Sequence, residues 1–280
     1  MQRINLKLHL PNLAEFRTLL AMKTRNVLAM ISPMSPERIG GIARYAKEHG
    51  WNLLIQDRLG HTPVAWHGDG VLATLRSDPV SFKSIETLMR RGIPVVDLTI
   101  SRPDIDVPRV TSDHVAIGRL AAEHFLAHGF IHAAFFASRR TPVHDQRYRG
   151  FCDGFAEQEI PPFWNRTTLA KGLATAKRPL GVFCYSDYDA TLALNACLSH
   201  GLKVPDDVAI LGVDNNEIIC ENQTVPLSSV LHDHEEIGFR GAELLNRLMS
   251  DSKEKGERRK EKASTIKLIP PRGIVIRKST

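Results

Sequence analysis

Cys152 lies in Gly150-Phe-Cys152-Asp-Gly154, the spacing of a nucleophile elbow with cysteine in place of serine. Such an elbow presents its nucleophile on a strained turn directly after a strand. The preceding His144-Asp-Gln-Arg-Tyr-Arg cannot form a buried strand, and Cys152 falls instead on a helical stripe with Tyr148, Phe151 and Phe155. A core thiol is therefore expected there, and no catalytic residue. Cys152, Cys184, Cys197 and Cys220 form no C-x-x-C pair, which suits reduced thiols in a cytosolic protein. His124 and His128 are four apart, but Glu123 stands outside the pair, and a zinc protease needs the glutamate inside it. In His232-Asp-His234 the imidazoles are expected to point to opposite faces of an extended segment. No metal site is expected. Neither G-x-x-x-x-G-K-[ST] nor G-x-G-x-x-G occurs, so no nucleotide or other cofactor is expected.

The polar residues that remain sit at the C-terminal ends of predicted strands, where parallel α/β sheets bind ligands. They are Ser35, Asp97, Ser186, Asp214 and, after a polar loop over 138–146, Arg147. Carboxylates and a guanidinium meeting between two lobes suit a polyol, whose hydroxyls both donate and accept. Asp187 reads equally as a helix cap and as a ligand contact. Asp214 points more firmly to a ligand, because Asn-Asn-Glu follows it rather than an apolar helical run.

The elements that must position these groups alternate. Asn26–Ser32 reads as a strand, Ser35-Pro36 as an N-cap with proline at the first helical position, and Gly50 as that helix's stop. Strands follow at 51–56, 70–75 and 93–98, with a helix before Gly92. A second unit begins near Val110, where Ser112-Asp113 caps a helix. Its strands are 131–137, 180–185 and 208–213; a helix runs from about 189 to 200, and residues 159–178 show no clear pattern. Short apolar strands alternating with helices predict parallel sheets covered on both faces. A later helix carries Ile237, Leu244, Leu245 and Leu248, and final strands are expected at 264–269 and 273–277. The run 251–262 mixes both signs of charge, as a solvated loop does.

The 280 residues, 42% apolar and 24% charged, suit a globular chain, and the net charge of +6 neither requires nor excludes nucleic acid. No apolar stretch approaches a membrane span, and no secretory signal is visible. Residues 13–20 have helical spacing, and Met22 is an alternative start of translation that would remove 1–21.

Val110-Thr-Ser-Asp-His-Val-Ala-Ile-Gly-Arg-Leu-Ala-Ala-Glu-His-Phe125 resembles the V-x-x-D-x-x-x-G-x-x-A-x-x-H-L signature of LacI/GalR effector domains. Arg147-Tyr-Arg-Gly-Phe151 resembles their R-x-x-G-F, and Val204-Pro-Asp-Asp-Val-Ala-Ile-Leu-Gly-Val-Asp214 their V-P-x-D-V-x-V-x-G-F-D. Pro226-Leu-Ser-Ser-Val230 and Ile237-Gly238 fit the same pattern, and the likeness covers about 26–280. Trp66-His-Gly-Asp-Gly-Val71 and the ending Pro270–Thr280 are similar to the branch of xylose regulators, in which an AraC-type DNA-binding domain follows the sugar domain.

The resemblance implies a two-lobed, periplasmic-binding-protein-like (type I) α/β fold, each lobe a parallel sheet with helices on both faces. The lobes would be 26–110 plus 232–262, and 111–231 plus 263–280, after an N-terminal extension of 1–25. A sugar effector, a pentose such as xylose, would contact Arg147, Asp214 and Ser186, with Asp97 and Ser35 matching more loosely. Trp164 would stack on the sugar's C–H face or fill a core position. Serine at 186 departs from the asparagine common in the family. The protein would be a cytoplasmic homodimer and no enzyme, and would reach DNA only through a domain outside this chain, since residues 1–25 are too few for the family's N-terminal helix-turn-helix. The rivals are a stand-alone transport-type sugar-binding protein and a hydrolase using Cys152.

Overall fold

A computed structural model describes residues 24–56, 66–75, 79–155, 160–254 and 265–280. The expected helix at 13–20, the start at Met22 and most of the charged run 251–262 lie outside them.

The described residues form two sheets. The first is ordered β10-β5-β4-β3-β1-β2, from Ile266–Ile269, Arg109–Ser112, Val95–Asp97, Gly70–Ala73, Asn26–Met30 and Asn52–Gln56. Every pairing in it is parallel. The second is ordered β11-β9-β8-β7-β6, from Gly273–Val275, Ser228–Leu231, Val208–Val213, Leu180–Cys184 and His132–Phe136. It is parallel except at β11, which runs antiparallel to β9. These are the helix-covered parallel sheets that the alternating pattern predicts, in the two lobes that the family resemblance implies. The central strands are buried along their whole length, which is why they read as unbroken apolar runs.

Helices α1 (Pro36–Glu48) and α8 (His234–Glu254) pack together on one face of the first sheet, with Ile42, Tyr45, Ile237 and Leu245 in the shared core. Helix α2 (Pro79–Arg90) covers the other face through Ile85 and Leu88. In the second lobe, α3 (His114–Ala127) and α4 (Pro142–Gly154) pack together over Phe125, Phe135, Phe151 and Phe183. Helices α5 (Leu169–Thr175) and α6 (Asp187–Ser199) cover the opposite face. A short helix, α7 (Glu217–Glu221), follows β8.

Two sequence expectations need correction. Residues 263–269 were assigned to the second lobe, but β10 pairs with β5 in register Ile266↔Arg109 to Ile269↔Ser112, which satisfies the edge of the first sheet. Only the chain beyond Ile269 crosses to the second. The polar loop over 138–146 is also too long. Thr141 caps α4 by accepting from the His144 N–H, and Pro142 takes the first turn, so Arg147 sits on a helix. Thr141-Pro142 repeats the cap-and-proline signal that Ser35-Pro36 gives for α1.

The chain crosses between sheets after Ser112, Leu231 and Ile269. The crossings are tied to one another. Ser112 Oγ lies 2.7 Å from His232 Nδ1, Asp113 N–H donates to Ile269 O at 2.8 Å, and Arg272 N–H donates to Leu231 O at 2.9 Å.

Candidate ligand site between the lobes

Asp214 directly follows β8 with φ +111°, and Asn215 comes next at +48°. Positive φ is costly for most side chains, and Asp and Asn bear it best. Three bonds hold this turn. Asp214 N–H donates to Val230 O (3.1 Å), Asn215 N–H to Ser229 Oγ (2.9 Å), and Asn216 N–H to Asp187 Oδ2 (2.7 Å). Asp187 Oδ1 accepts from the Ser229 hydroxyl at 2.5 Å. The Asp187 carboxyl reaches this position because residue 212 is glycine; a Cβ there would lie 2.3 Å from Oδ1. Asp187 is therefore neither a cap nor a contact residue but the anchor of the loop carrying Asp214. Burial, then the charge of Asp214, pushes its carboxyl up to about 7.

Around Asp214 stand groups from α1, α3, α4 and the start of α8. His232 Nε2 is 3.2 Å from Asp214 Oδ1 and 3.0 Å from Arg147 Nη2, and Arg147 Nη2 is itself 4.0 Å from Oδ1. The same nitrogen either accepts from Arg147 or donates to Asp214, according to its tautomer. Arg147 is only 4% exposed, donates from Nη1 to Tyr185 O and lies over the Tyr185 ring. The His232 ring stacks on that of His234 at 4.8 Å, and His234 Nδ1 is 3.0 Å from Arg38 Nη2 on α1. His114, first residue of α3, faces His232 edge-on at 6.0 Å.

Burial tends to raise the Asp214 carboxyl, but its hydrogen bond with His232 and the nearby charge of Arg147 hold it below its ordinary range. Its side chain is still 45% exposed, open to the cleft. Burial lowers His114, aided by the cations around it, lowers His232 against the raising pull of Asp214, and lowers His234 to about 3. Burial also lowers Arg38 to about 10, against the raising pull of Asp214 and Asp97. The cluster thus sets two guanidinium groups and the Asp214 carboxyl among three imidazoles whose charged forms burial disfavours. Arg38 Nε, Arg147 Nε and His114 Nδ1 are buried and have no hydrogen-bond partner among the described residues. Buried donors of this kind are rare unless something outside the chain answers them.

Arg147 and Asp214 come together as expected. The other expected residues have internal tasks. Ser35 Oγ accepts from the Arg38 N–H and donates to Glu37, and Ser186 Oγ accepts from the Asp189 N–H and donates to its carboxylate. Asp97 is 0% exposed; its oxygens take the N–H groups of Leu75 and Thr99, the Thr99 hydroxyl and Arg109 Nε. Trp164 is buried in the second-lobe core against Gly172 and also lines a cavity of about 430 Å³ with Ile131, His132 and Leu180. Those three lie at or beside the N-terminal ends of β6 and β7, the opposite end of the sheet from Asp214.

The expectation that His232 and His234 diverge is overturned, since their rings are stacked at 11°. Alternation holds only within a strand, and the chain turns from β9 into α8 between them. No group of three His, Cys, Asp or Glu among the described residues is arranged to hold a metal ion. Cys152 is on α4 but half-buried, and burial raises its thiol pKa.

The sequence reading leaves Arg38 and His114 out of this cluster and gives His232 and His234 no place in it, although a signal exists. Asp113-His114-Val-Ala-Ile117-Gly118 opens α3, and Asp233-His234-Glu-Glu-Ile237-Gly238 opens α8. Both follow D-H-x-x-I-G, and in both the aspartate accepts from the N–H three residues on. Each packs on an R-x-x-G helix: Arg147-Tyr-Arg-Gly150 on α4 and Arg38-Ile-Gly-Gly41 on α1. A Cβ at Gly118 would lie 2.1 Å from Arg147 O, and one at Gly238 would lie 2.0 Å from Arg38 O. Gly150 meets Val115 O and Gly41 meets Glu235 O in the same way, each at 2.0 Å. The two lobes repeat one device, a glycine-to-backbone helix crossing that presents one arginine and one histidine.

Against known families, residues 122–280 match the periplasmic binding protein-like domain. The chain belongs to this family. Relatives agree with the LacI/GalR resemblance. The HTH-type transcriptional regulator DegA of Bacillus subtilis is 28% identical over 76% of the chain and 64% of DegA. The xylose operon regulatory protein of Haemophilus influenzae is 26% identical over 86% of the chain and 66% of that protein. The chain thus spans about two thirds of the length of these family members. The solved structure of a xylose-binding transcription activator, xylR, superposes with a TM-score of 0.73 at 21% identity, over 92% of this chain and 70% of that one. That likeness shows the family's two-lobed fold. No helix among the described residues is long and apolar enough to cross a membrane.

Proposed function

We propose that this chain is the effector-sensing domain of a cytoplasmic transcription regulator, binding a small polyhydroxylated effector, a pentose such as xylose, between its lobes. The observation that carries this reading is the Arg147–His232–Asp214 cluster at the strand ends, with buried donors that no described residue answers. Asp214 and Arg147 would bind hydroxyls, the carboxylate accepting and the guanidinium donating. The names of DegA and of the xylose operon regulatory protein support the regulatory role. No catalytic step is assigned. Effector binding would favour a closed arrangement of the lobes and so alter a homodimer that places a DNA-binding domain lying outside this sequence. A panel of pentoses and hexoses followed by thermal shift tests it, because a ligand raises the melting temperature by mass action. Asp214→Ala is expected to abolish the shift while the circular dichroism spectrum persists; undiminished affinity in this variant removes Asp214 from the site.

A further inference from the structure

The charge of the cleft exceeds what a neutral polyol needs. Arg109 is already committed to Asp97 at 3.2 Å, and Asp97 is in turn fully occupied. Glu37, exposed in the first turn of α1, accepts from the Ser35 hydroxyl but keeps its charge, which acts on Arg38 through solvent. Among the described residues, that leaves Asp214 as the one carboxylate facing Arg147 directly, with Arg38 joined to the same cluster through His234 and His232. Inside the cleft two guanidinium groups face one carboxylate, and the charge of exposed Glu37 reaches Arg38 only through screening solvent. An uncompensated buried charge is costly, and an anion supplied from outside relieves it. The repeat strengthens the point. Arg38 and Arg147 occupy equivalent places on equivalent helices, each beside the N-terminal histidine of the helix it crosses, and each has a buried Nε–H without an acceptor among the described residues. Guanidinium N–H pairs match the two oxygens of a carboxylate or phosphate better than isolated hydroxyls.

We infer that the effector is a polyhydroxy anion, its acid group received by the paired arginines Arg38 and Arg147 and its hydroxyls by Asp214. This rests on the effector-sensing reading and specifies its ligand class. The neutral imidazoles of His114 and His234 fit the assignment, since they can donate to an acid oxygen without adding a charge that an unliganded cleft would have to carry.

The test is isothermal calorimetry of the full chain at low ionic strength with three matched probes: D-xylose, D-xylonate and D-ribose 5-phosphate. At least one anion should bind about tenfold or more tighter than the neutral sugar, a preference that weakens with added salt. Comparing the two anions tells carboxylate from phosphate. Arg38→Gln should bring anion and sugar within about threefold of each other while the circular dichroism spectrum is retained. Arg38→Lys, which keeps charge but not the fork, should restore part of the preference. Equal or tighter binding of xylose than of both anions overturns the inference and leaves the sugar-sensing reading standing, as does a preference unchanged in Arg38→Gln. Absence of any anion binding also overturns it. Binding of every probe unaffected by Asp214→Ala defeats the underlying reading instead.

Discussion

Asp187→Asn isolates the support of the Asp214 loop from the ligand itself. Asp187 is 1% exposed, and its carboxyl is raised to about 7 by burial and by the nearby Asp214 charge. In the unfolded chain an aspartate titrates near ~3.9. A group with a raised folded-state value contributes stability that is fully present below the unfolded value and is lost as pH rises through the folded one. Each pKa unit corresponds to about 1.4 kcal/mol, so Asp187 should subtract about 2–3 kcal/mol from stability between roughly pH 5 and pH 8. Asparagine has the same shape. Its oxygen can accept from the Asn216 N–H, and its amide can donate to Ser229 Oγ, which already accepts from Asn215. The variant should therefore unfold at similar urea concentration to the parent near pH 5 and at higher concentration near pH 8. Other titrating groups act in both proteins and cancel in the difference. Parallel stability curves for the two proteins across that range would refute the assignment of a raised, ionising Asp187.

Other outcomes follow from the same geometry. Gly118→Ala and Gly238→Ala each drive a methyl group into a backbone carbonyl, at 2.1 and 2.0 Å, and each should cost about 1–3 kcal/mol, read as a lowered melting temperature. Arg109→Met strands the buried Asp97, whose carboxyl burial raises to about 6; the loss, about 3–5 kcal/mol for a broken buried pair, should be larger near pH 8 than near pH 5, where Asp97 can protonate. His234, lowered to about 3, contributes stability present above its unfolded value and lost as pH falls, so His234→Gln should show a shallower decline in denaturation midpoint below about pH 6.5 than the parent.

The sheets are legible because their strands are short, apolar and separated by cap signals with a local cause: Ser35 and Asp113 accept from the N–H groups three residues on. The same signal at Thr141 is masked because His144 to Gln146 is polar, although two of those side chains find partners within the chain: His144 among aromatic rings and Asp145 with Arg140. The site was half legible. Arg147 and Asp214 stand out by motif. Ser35, Ser186 and Asp97 stand out equally, yet a strand end is also where a helix cap or a buried ion pair is needed, and sequence alone does not separate these demands. Arg38 was hidden because nothing local distinguishes it from any exposed arginine in a first helical turn. Only the packing of Gly41 and Gly238 shows that its helix is held against α8 as that of Arg147 is held against α3.

The place of Arg38 also bears on how a ligand could act at all. A ligand shifts an equilibrium only by its difference in affinity for the two states. Arg147 and Asp214 both belong to the second lobe, so an effector held by them alone would bind open and closed arrangements alike. Sensing needs a contact from the first lobe. Asp97 and Ser35, the sequence candidates there, spend their oxygens on Arg109, Thr99 and the first turn of α1. Arg38 on α1 and His234 at the start of α8 are the first-lobe groups that reach the cluster. On the proposed reading, Arg147 and Asp214 therefore set whether an effector binds, while Arg38 sets whether binding closes the cleft. A ligand that keeps the hydroxyls but lacks the group Arg38 receives would then occupy the site without signalling.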